Sequence, residues 1–257
     1  MTTADLTPAA PSDLARAAAY ALHSVRITLH QVPFVVFTIA LPVGMYLLFA
    51  MMFGDEGGGA ARAGIMVNMA AYGGLGAAMN AGARIQDDLR TGFLRQLMVA
   101  GITPRGFLAG SLASASAIVL PALIAVFLVG ALTGVDLAPG RMVAGIAVLW
   151  LGLLPAILIG LVLGMFLRGS AASAGSVVAM MLLAIAGGLW MPLSMFPSWM
   201  QTIGHGLPTH WLSQAGIWAL GGTGFPVTGV LVVGLWVLVL GGIVLLGMRR
   251  SQGGAGR

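Results

Sequence analysis

The fold is decided by the stretch MVAGIAVLWLGLLPAILIGLVLGMFL, residues 142–167, which contains no charged side chain. A helix needs ~20 apolar residues to cross the hydrocarbon core of a bilayer, so this stretch is long enough with some tilt. Its internal Pro155 leaves one backbone carbonyl without its helical partner and bends the helix. The stretch therefore predicts a kinked helix that spans a membrane.

The whole chain has a membrane-protein composition. Its 257 residues are 59% hydrophobic and 7% charged, whereas about a quarter of the residues in a soluble domain are charged. Five stretches lack charge altogether, and the first four each fit one spanning helix: 27–54, 63–83, 106–135, 142–167 and 169–248. The composition therefore predicts an all-α integral membrane protein.

The last charge-free stretch is too long for one helix. Its ends are continuous apolar runs, but prolines interrupt its middle at positions 192, 197, 208 and 226. Such a segment cannot lie in lipid as a straight helix. We expect two short re-entrant helices on the outer side, which leaves one span at each end of the stretch and six transmembrane helices in total.

The chain begins with a polar segment, residues 1–11, which we expect to be a disordered cytoplasmic tail. Residues 12–250 are predicted to form one transmembrane permease domain, and residues 251–257 a second cytoplasmic tail. Ser12 is a typical N-cap for a helix whose apolar stripe contains Leu14 and Leu29, with Arg16 and Tyr20 roughly opposite. This amphipathic helix is expected to lie in the headgroup layer.

The distribution of arginine predicts the topology. The chain has a net charge of +5 and no lysine, and its arginines lie in short segments between apolar runs, which argues against a nucleic-acid partner. With the N-terminus inside, only Arg62 and Arg141 fall on the outer side. This positive-inside bias predicts that both termini are cytoplasmic.

Several chemistries are excluded by missing residues. The sequence has no cysteine and no lysine, so it offers neither a thiolate nor the lysine that holds nucleotide phosphates in a Walker A motif. His205 and His210 have no carboxylate or thiolate neighbours and make a poor metal site. The chain is therefore expected to be neither an enzyme nor a metalloprotein, and to hold no cofactor of its own.

The predicted spans contain no Asp, Glu, Lys or Arg. Ion-coupled secondary transporters keep ionisable groups at membrane depth, so this alternative is disfavoured. The polar residues of the second span are Asn68, Tyr72 and Asn80. They either line a substrate path or bond neighbouring helices.

The cytoplasmic segment RIQDDLRTGFLRQLMVAGITPRGF, residues 84–107, predicts an amphipathic helix that ends near Gly101. Arg84, Asp88 and Arg95 lie on its charged side. The segment is either a solvated connector between spans two and three or a docking surface for a partner. Its length and charge favour the docking surface.

Taken in order, four segments resemble the ABC-2 family of transporter permeases. They are the amphipathic helix that leads into FTIALPVGMYLLFAMMFG (37–54), the loop QDDLRTGFLRQLMVAGITPRGFLAGSLAS (86–114), the stretch GGLWMPLSMFPSWMQTIGHGLPTHWLSQAGIWALGG (187–222), and the closing span with its basic tail. The resemblance covers nearly the whole chain.

The resemblance implies a bacterial inner-membrane exporter built from two permeases and two separate ABC-type ATPase subunits, which bind the ATP and Mg. This chain would form a homodimer, or a heterodimer with a similar permease, around a path for an amphipathic drug, antibiotic or lipid-like substrate, as in multidrug efflux. A non-transporting membrane scaffold or sensor partner remains a second alternative. The resemblance and the charged stripe together predict these ATPase-coupling residues: Arg84, Asp87, Asp88, Arg90, Gly92, Arg95 and Arg105.

Overall fold

The computed structural model describes residues 12–54, 58–91, 93–99, 101–167 and 170–253. Within these ranges the chain is helical and contains no β-strand, which confirms the all-α prediction. The α-helices in chain order are α1 (Asp13–Leu29), α2 (Val32–Val35), α3 (Leu41–Phe53), α4 (Gly58–Arg90), α5 (Phe93–Val99), α6 (Pro104–Leu132), α7 (Pro139–Gly152), α8 (Leu154–Phe166), α9 (Ser170–Ala186), α10 (Ser198–His205), α11 (Pro208–Ala219) and α12 (Val227–Gly253).

Four helical stretches in the described part of the chain are long and apolar enough to cross a membrane. They are Val32–Phe53, Gly106–Leu132, Pro139–Phe166 and Val227–Gly247. Helix α9 contains a shorter apolar stretch, Ala171–Ala186. The protein is thus a multi-pass membrane protein, and the total of six spans stays a prediction.

Helix α4 contains the second predicted span, yet it is not among the four apolar stretches. It is 33 residues long and lies at the centre of the bundle, packed against α3, α6, α8, α9 and α11. Most of its residues between Met66 and Met79 are buried by these neighbours. Because protein covers this surface, α4 tolerates the glycines and amides that lower its hydropathy.

Small residues allow α4 to approach its neighbours closely. A methyl group at Gly160 on α8 would lie 2.7 Å from the carbonyl oxygen of Ala78 on α4. At Gly74 it would lie 2.4 Å from the side chain of Leu153. The contact at Gly160 requires glycine because an added carbon would meet the α4 backbone, whereas at Gly74 it would meet the flexible end of the Leu153 side chain.

Two prolines within the apolar stretches lie beside helix irregularities. A π-helical turn, Val36–Ala40, links α2 to α3 immediately before Pro42. Helices α7 and α8 form one span that is interrupted at Leu153, two residues before Pro155. Pro121 lies inside the continuous helix α6. The first two irregularities follow from the backbone hydrogen bond that proline cannot make.

The segment between the last two predicted spans folds into a 3₁₀ turn, Leu193–Met195, and the two short helices α10 and α11. Its prolines begin these elements: Pro192 and Pro197 lie at N-caps, and Pro208 is the first residue of α11. The stretch thus contains two short helices, and their re-entrant path stays a prediction. Their depth in the membrane stays a prediction.

Helix α1 starts where the sequence predicted, with the Ser12 side chain accepting a hydrogen bond of 3.2 Å from the Ala15 amide. Its buried face differs from the prediction. Tyr20, expected on the polar side, is buried with Ala17 against α6, and its ring lies 5.4 Å from that of Phe107. Leu14 remains 78% exposed. Tyr20 and the small residues Ala17, Ser24 and Thr28 form the buried face of α1. Leu29 packs against the core, and Leu14 does not.

The bundle has two ends. At the end we call the lower end, Arg84 meets Thr28 and Arg16 meets Gly101. At the opposite end, the upper end, Arg62 lies beside Gly54 and Gly134, and Arg141 beside Gly221. The structure therefore separates Arg16 and Arg84 from Arg62 and Arg141, as the topology prediction requires. Which end faces the cytoplasm stays a prediction.

The contact at Gly160 predicts the effect of a single methyl group. We expect Gly160→Ala to destabilise the bundle by about 1–3 kcal/mol, because the added carbon meets the α4 backbone, which cannot rotate away as a side chain can. Gly241→Ala in α12, where nothing lies within 4 Å of the added carbon, is the matched control. Thermal unfolding in detergent should show a lower midpoint for the first variant only, and equal midpoints would contradict the proposed close packing.

Candidate functional site

The predicted ATPase-coupling segment lies at the lower end and is only partly described. Helix α4 continues to Arg90 and α5 follows as a separate helix. Of the predicted coupling residues, Arg84 is the one whose side chain is described, and it donates a hydrogen bond to the Thr28 hydroxyl of α1. The others lie outside the described side chains: Asp87, Asp88, Arg90, Gly92, Arg95 and Arg105.

Helix α5 ends in a Schellman motif, close to the predicted stop at Gly101. Gly101 has a φ of 85°, and its amide donates to the Met98 carbonyl at 3.0 Å. The Ile102 amide donates to the Leu97 carbonyl at 2.9 Å, and both side chains belong to the hydrophobic core. The end of α5 is therefore fixed to the body of the protein.

A polar junction connects α1 to the segment between α5 and α6. Asp13 accepts hydrogen bonds from the Thr103 amide at 3.0 Å and from the Thr103 hydroxyl at 2.6 Å. Arg16 donates to the Gly101 carbonyl at 2.7 Å. Thr103 also caps α6 by accepting from the Gly106 amide at 3.0 Å. We call these four residues, Asp13, Arg16, Gly101 and Thr103, the α1 junction.

The α1 junction also changes the ionisation of Asp13. The hydrogen bonds from Thr103 hold the pKa of the Asp13 carboxyl below its ordinary value, and the charge of Arg16 adds to this effect. The α1 junction therefore stabilises the ionised form of Asp13. Sequence analysis assigned Asp13 only to the first turn of a helix and did not pair it with Thr103.

Removal of the Asp13 carboxylate should loosen the α1 junction. We expect Asp13→Ala to increase amide hydrogen exchange over residues 13–20 and 101–107, because the donors of Thr103 lose their acceptor. In the parent, protection should persist above about pH 4 and fall as the carboxylate becomes protonated below its depressed pKa. Asp136→Ala, at an exposed loop position, is the control, and the same exchange in both variants would contradict the role of the junction.

The predicted path residues do not lie around one space. The Asn68 side-chain oxygen accepts a hydrogen bond of 2.5 Å from Ser213 of α11. Tyr72 is buried, with its ring edge-on to Trp190 at 5.5 Å. Asn80 donates to the Gly76 carbonyl of its own helix at 2.9 Å. Of these three residues, Asn68 alone lines the cavity described next.

A cavity of about 880 Å³ lies at the upper end, between α3 and α4 on one side and the segment from the end of α9 through α11 on the other. Aromatic and sulphur-containing side chains form much of its wall, among them Phe49, Phe53, Met69, Trp190, Met191 and Trp211. Its polar lining includes Asn68, Ser194, Gln201, His205, His210 and Gln214. None of the described residues that line it is Asp, Glu or Arg.

The two histidines form a packed cluster with Trp211 at the edge of this cavity. The rings of His205 and His210 are 4.9 Å apart and edge-on, and His210 lies 5.1 Å from Trp211. The Trp211 indole donates to the His205 carbonyl at 2.7 Å, and Trp236 donates to the Gly206 carbonyl at 2.9 Å. The described residues contain no group of three metal-ligating side chains.

Burial lowers the pKa of His210, and repulsion from His205 lowers it further, although a hydrogen bond with the Gly187 backbone opposes both effects. Folding therefore favours the neutral imidazole. This contribution to stability is complete above the pKa of the unfolded state and is lost as the pH falls towards the lower pKa of the folded state.

Acidification should therefore destabilise the parent through His210. We expect the thermal midpoint in detergent to drop between about pH 7.5 and pH 5, since the unfolded histidine takes up a proton near pH 6.5. His210→Gln should show a smaller drop because glutamine does not titrate. His23→Gln, at an exposed position on α1, serves as control. If the thermal midpoint of His210→Gln falls as much as that of the parent, protonation of His210 does not cause the acid destabilisation.

The apolar helices and the buried central helix α4 define a multi-pass membrane protein, and the cavity between its helices is of the size that holds a small molecule. The sequence model described as "ABC-2 type transporter" matches residues 24–220. The chain belongs to this family. It is also similar to a Bacillus subtilis (strain 168) protein described as "Putative transport permease YvfS", with 26% identity over 223 residues that cover 85% of this chain and 91% of the relative.

Membership confirms the resemblance found in the sequence. Permeases of this family are the membrane components of transporters, are not themselves catalytic, and generally work with an ATPase subunit. The match begins within α1 and ends after α11. It therefore includes Gly101 and Thr103 of the α1 junction and all residues that line the cavity.

Proposed function

We propose that this protein is the membrane-spanning permease of an ATP-driven exporter and forms half of a translocation path for an amphipathic drug, antibiotic or lipid-like substrate. The supporting observation is the family match over residues 24–220. The absence of lysine from the sequence supports a separate ATPase chain, because this chain lacks the Walker A residue. ATP and Mg are bound by that partner.

The ATPase docks at the lower end in this proposal. Its contact surface consists of the end of α4, the helix α5 and the start of α6, with the coupling residues Arg84, Asp87, Asp88, Arg90, Gly92, Arg95 and Arg105. The fixed end of α5 and the α1 junction support this placement. A surface that the ATPase displaces can move the transmembrane helices only if it is firmly attached to them. The lower end is therefore cytoplasmic in the bacterial inner membrane, as are both termini.

The transporter is proposed to contain two permease chains, either identical or similar. The exposed apolar faces of α3, α9 and α12, represented by Met51, Val178 and Leu238, face either lipid or the second permease. The six-span arrangement, with α4 and α9 as the two spans beyond the four apolar stretches, belongs to the same proposal.

Charge reversal tests the docking surface. Exposed ion pairs are each worth ~0–1 kcal/mol, so single alanine changes should have small effects. The double variant Asp87→Arg with Asp88→Arg places positive charge beside Arg84, Arg90 and Arg95, and we expect it to insert into the membrane normally but to lose co-purification with the ATPase and stimulation of its activity.

Asp136→Arg, in the loop between α6 and α7 on the upper side, is the control and should co-purify like the parent. If the double variant still binds the ATPase and exports substrate at the parental rate, this segment is not part of the docking surface. Measurement of both insertion and co-purification separates a failure of docking from a failure of folding.

A further inference from the structure

The upper cavity has the size of a ligand site. Its volume of about 880 Å³ lies within the roughly 300–1,000 Å³ range of pockets that enclose most of a drug-sized molecule. It is formed by one chain and has walls on two sides, with Gly64 of α4 opposite the α9–α10 segment and α11. A second permease chain is not needed to build it.

The wall restricts the charge of an occupant. Its described lining has no Asp, Glu or Arg, and the sequence has no lysine. An ion bound against this wall would find no opposite charge in the described lining to offset the hydration that it gives up, which is unfavourable. The titratable groups that face the cavity are His205 and His210. Helices α10 and α11, which carry these histidines, pack against α4, α7, α9 and α12. The described charged side chains of those helices, Arg62, Arg84 and Arg141, do not line the cavity.

The polar groups of the wall are divided into those already bonded and those still available. The Ser213 hydroxyl donates to the Asn68 side-chain oxygen, and the Gln201 amide donates to the Phe196 carbonyl at 2.8 Å. Gln214 and Ser194 are exposed, and neither side chain has a hydrogen-bond partner among the described residues. An occupant therefore meets mainly apolar side chains, aromatic residues and methionines among them, together with a few hydrogen-bond donors and acceptors.

We propose that this cavity is a binding site, within a single permease chain, for an uncharged amphipathic molecule. This proposal specifies where the transported substrate binds. It rests on the proposed function, because only a transporter would carry the bound molecule as its substrate. Phe49, Phe53, Trp190 and Trp211 contact its apolar body, and Gln214 and Ser194 bond its polar groups. A lipid from the bilayer and an exported compound share this chemistry.

The experiment fills the cavity without disturbing the fold. A side chain at Gly64 enters the cavity, and nothing lies within 4 Å of its first carbon. Gly44 of α3 is equally open and does not line the cavity, so Gly44→Phe is a matched control for Gly64→Phe. Gln214→Leu removes a polar partner from an exposed position and gives a second variant with little risk to folding.

Binding is measured on the purified full-length permease in lipid nanodiscs, by energy transfer from tryptophan to Nile red, an uncharged amphipathic dye. The parent and Gly44→Phe should bind the dye saturably with the same Kd. Gly64→Phe should weaken binding at least about tenfold and Gln214→Leu severalfold. The cationic dye rhodamine 6G and the anionic dye ANS should bind at least about tenfold more weakly than Nile red.

Equal Nile red affinity in the parent and Gly64→Phe would overturn the proposal, as would tight binding of a charged dye that Gly64→Phe abolishes. Mass spectrometry of extracted samples separates the two sources. A lipid retained by the parent and Gly44→Phe but absent from Gly64→Phe identifies a resident lipid, and dye binding without such a lipid identifies a site for other compounds. Because no ATPase is present, failure here is distinct from failure to co-purify with one.

Discussion

The burial of α4 is the constraint on which the other helix positions depend. This helix contains Asn68, Tyr72 and several glycines, and a surface of that kind cannot face hydrocarbon without unsatisfied polar groups. Its neighbours must therefore cover it, and they do so at backbone distance, because Gly160 lets α8 reach the Ala78 carbonyl and Gly74 leaves room for Leu153. The apolar spans are then left on the outside, where α12 exposes Leu231, Leu235 and Leu238.

Sequence reasoning identified features with a local cause. The positions of apolar runs, the N-cap at Ser12, the interruption beside Pro155 and the stop near Gly101 all follow from a few adjacent residues. The hydropathy of α4 was harder to interpret, since a helix enclosed by protein does not need an apolar surface. Its place among the spans was inferred from the absence of charge, and the structure adds the reason that its polarity is tolerated.

The features that the sequence did not reveal depend on residues far apart in the chain. Asp13 and Thr103 are separated by 90 positions, and Asn68 and Ser213 by 145. No local pattern brings such pairs together. The cavity is similar, because it is built from α3, α4 and the segment from α9 to α11, and its wall follows from packing. The buried face of α1 was misjudged for a related reason: Tyr20 is polar at one end only, and its ring finds Phe107 once α6 is in place.

Helix α4 also joins the two ends of the molecule. Its 33 residues form one continuous helix about 50 Å long. The part from Gly64 in the cavity wall to Arg84 at the lower end covers about 30 Å of that length. There is no proline between these positions, and Gly73 and Gly74 lie against neighbouring side chains and backbone, so α4 is unbroken between the cavity wall and Arg84. A displacement of α4 at Arg84 would therefore be transmitted along the helix to Asn68 in the cavity wall. Asn68 is hydrogen-bonded to Ser213, so the displacement would also reach α11. In the proposed exporter, this rigid connection gives the ATPase a direct means of changing the cavity from the opposite end of the bundle.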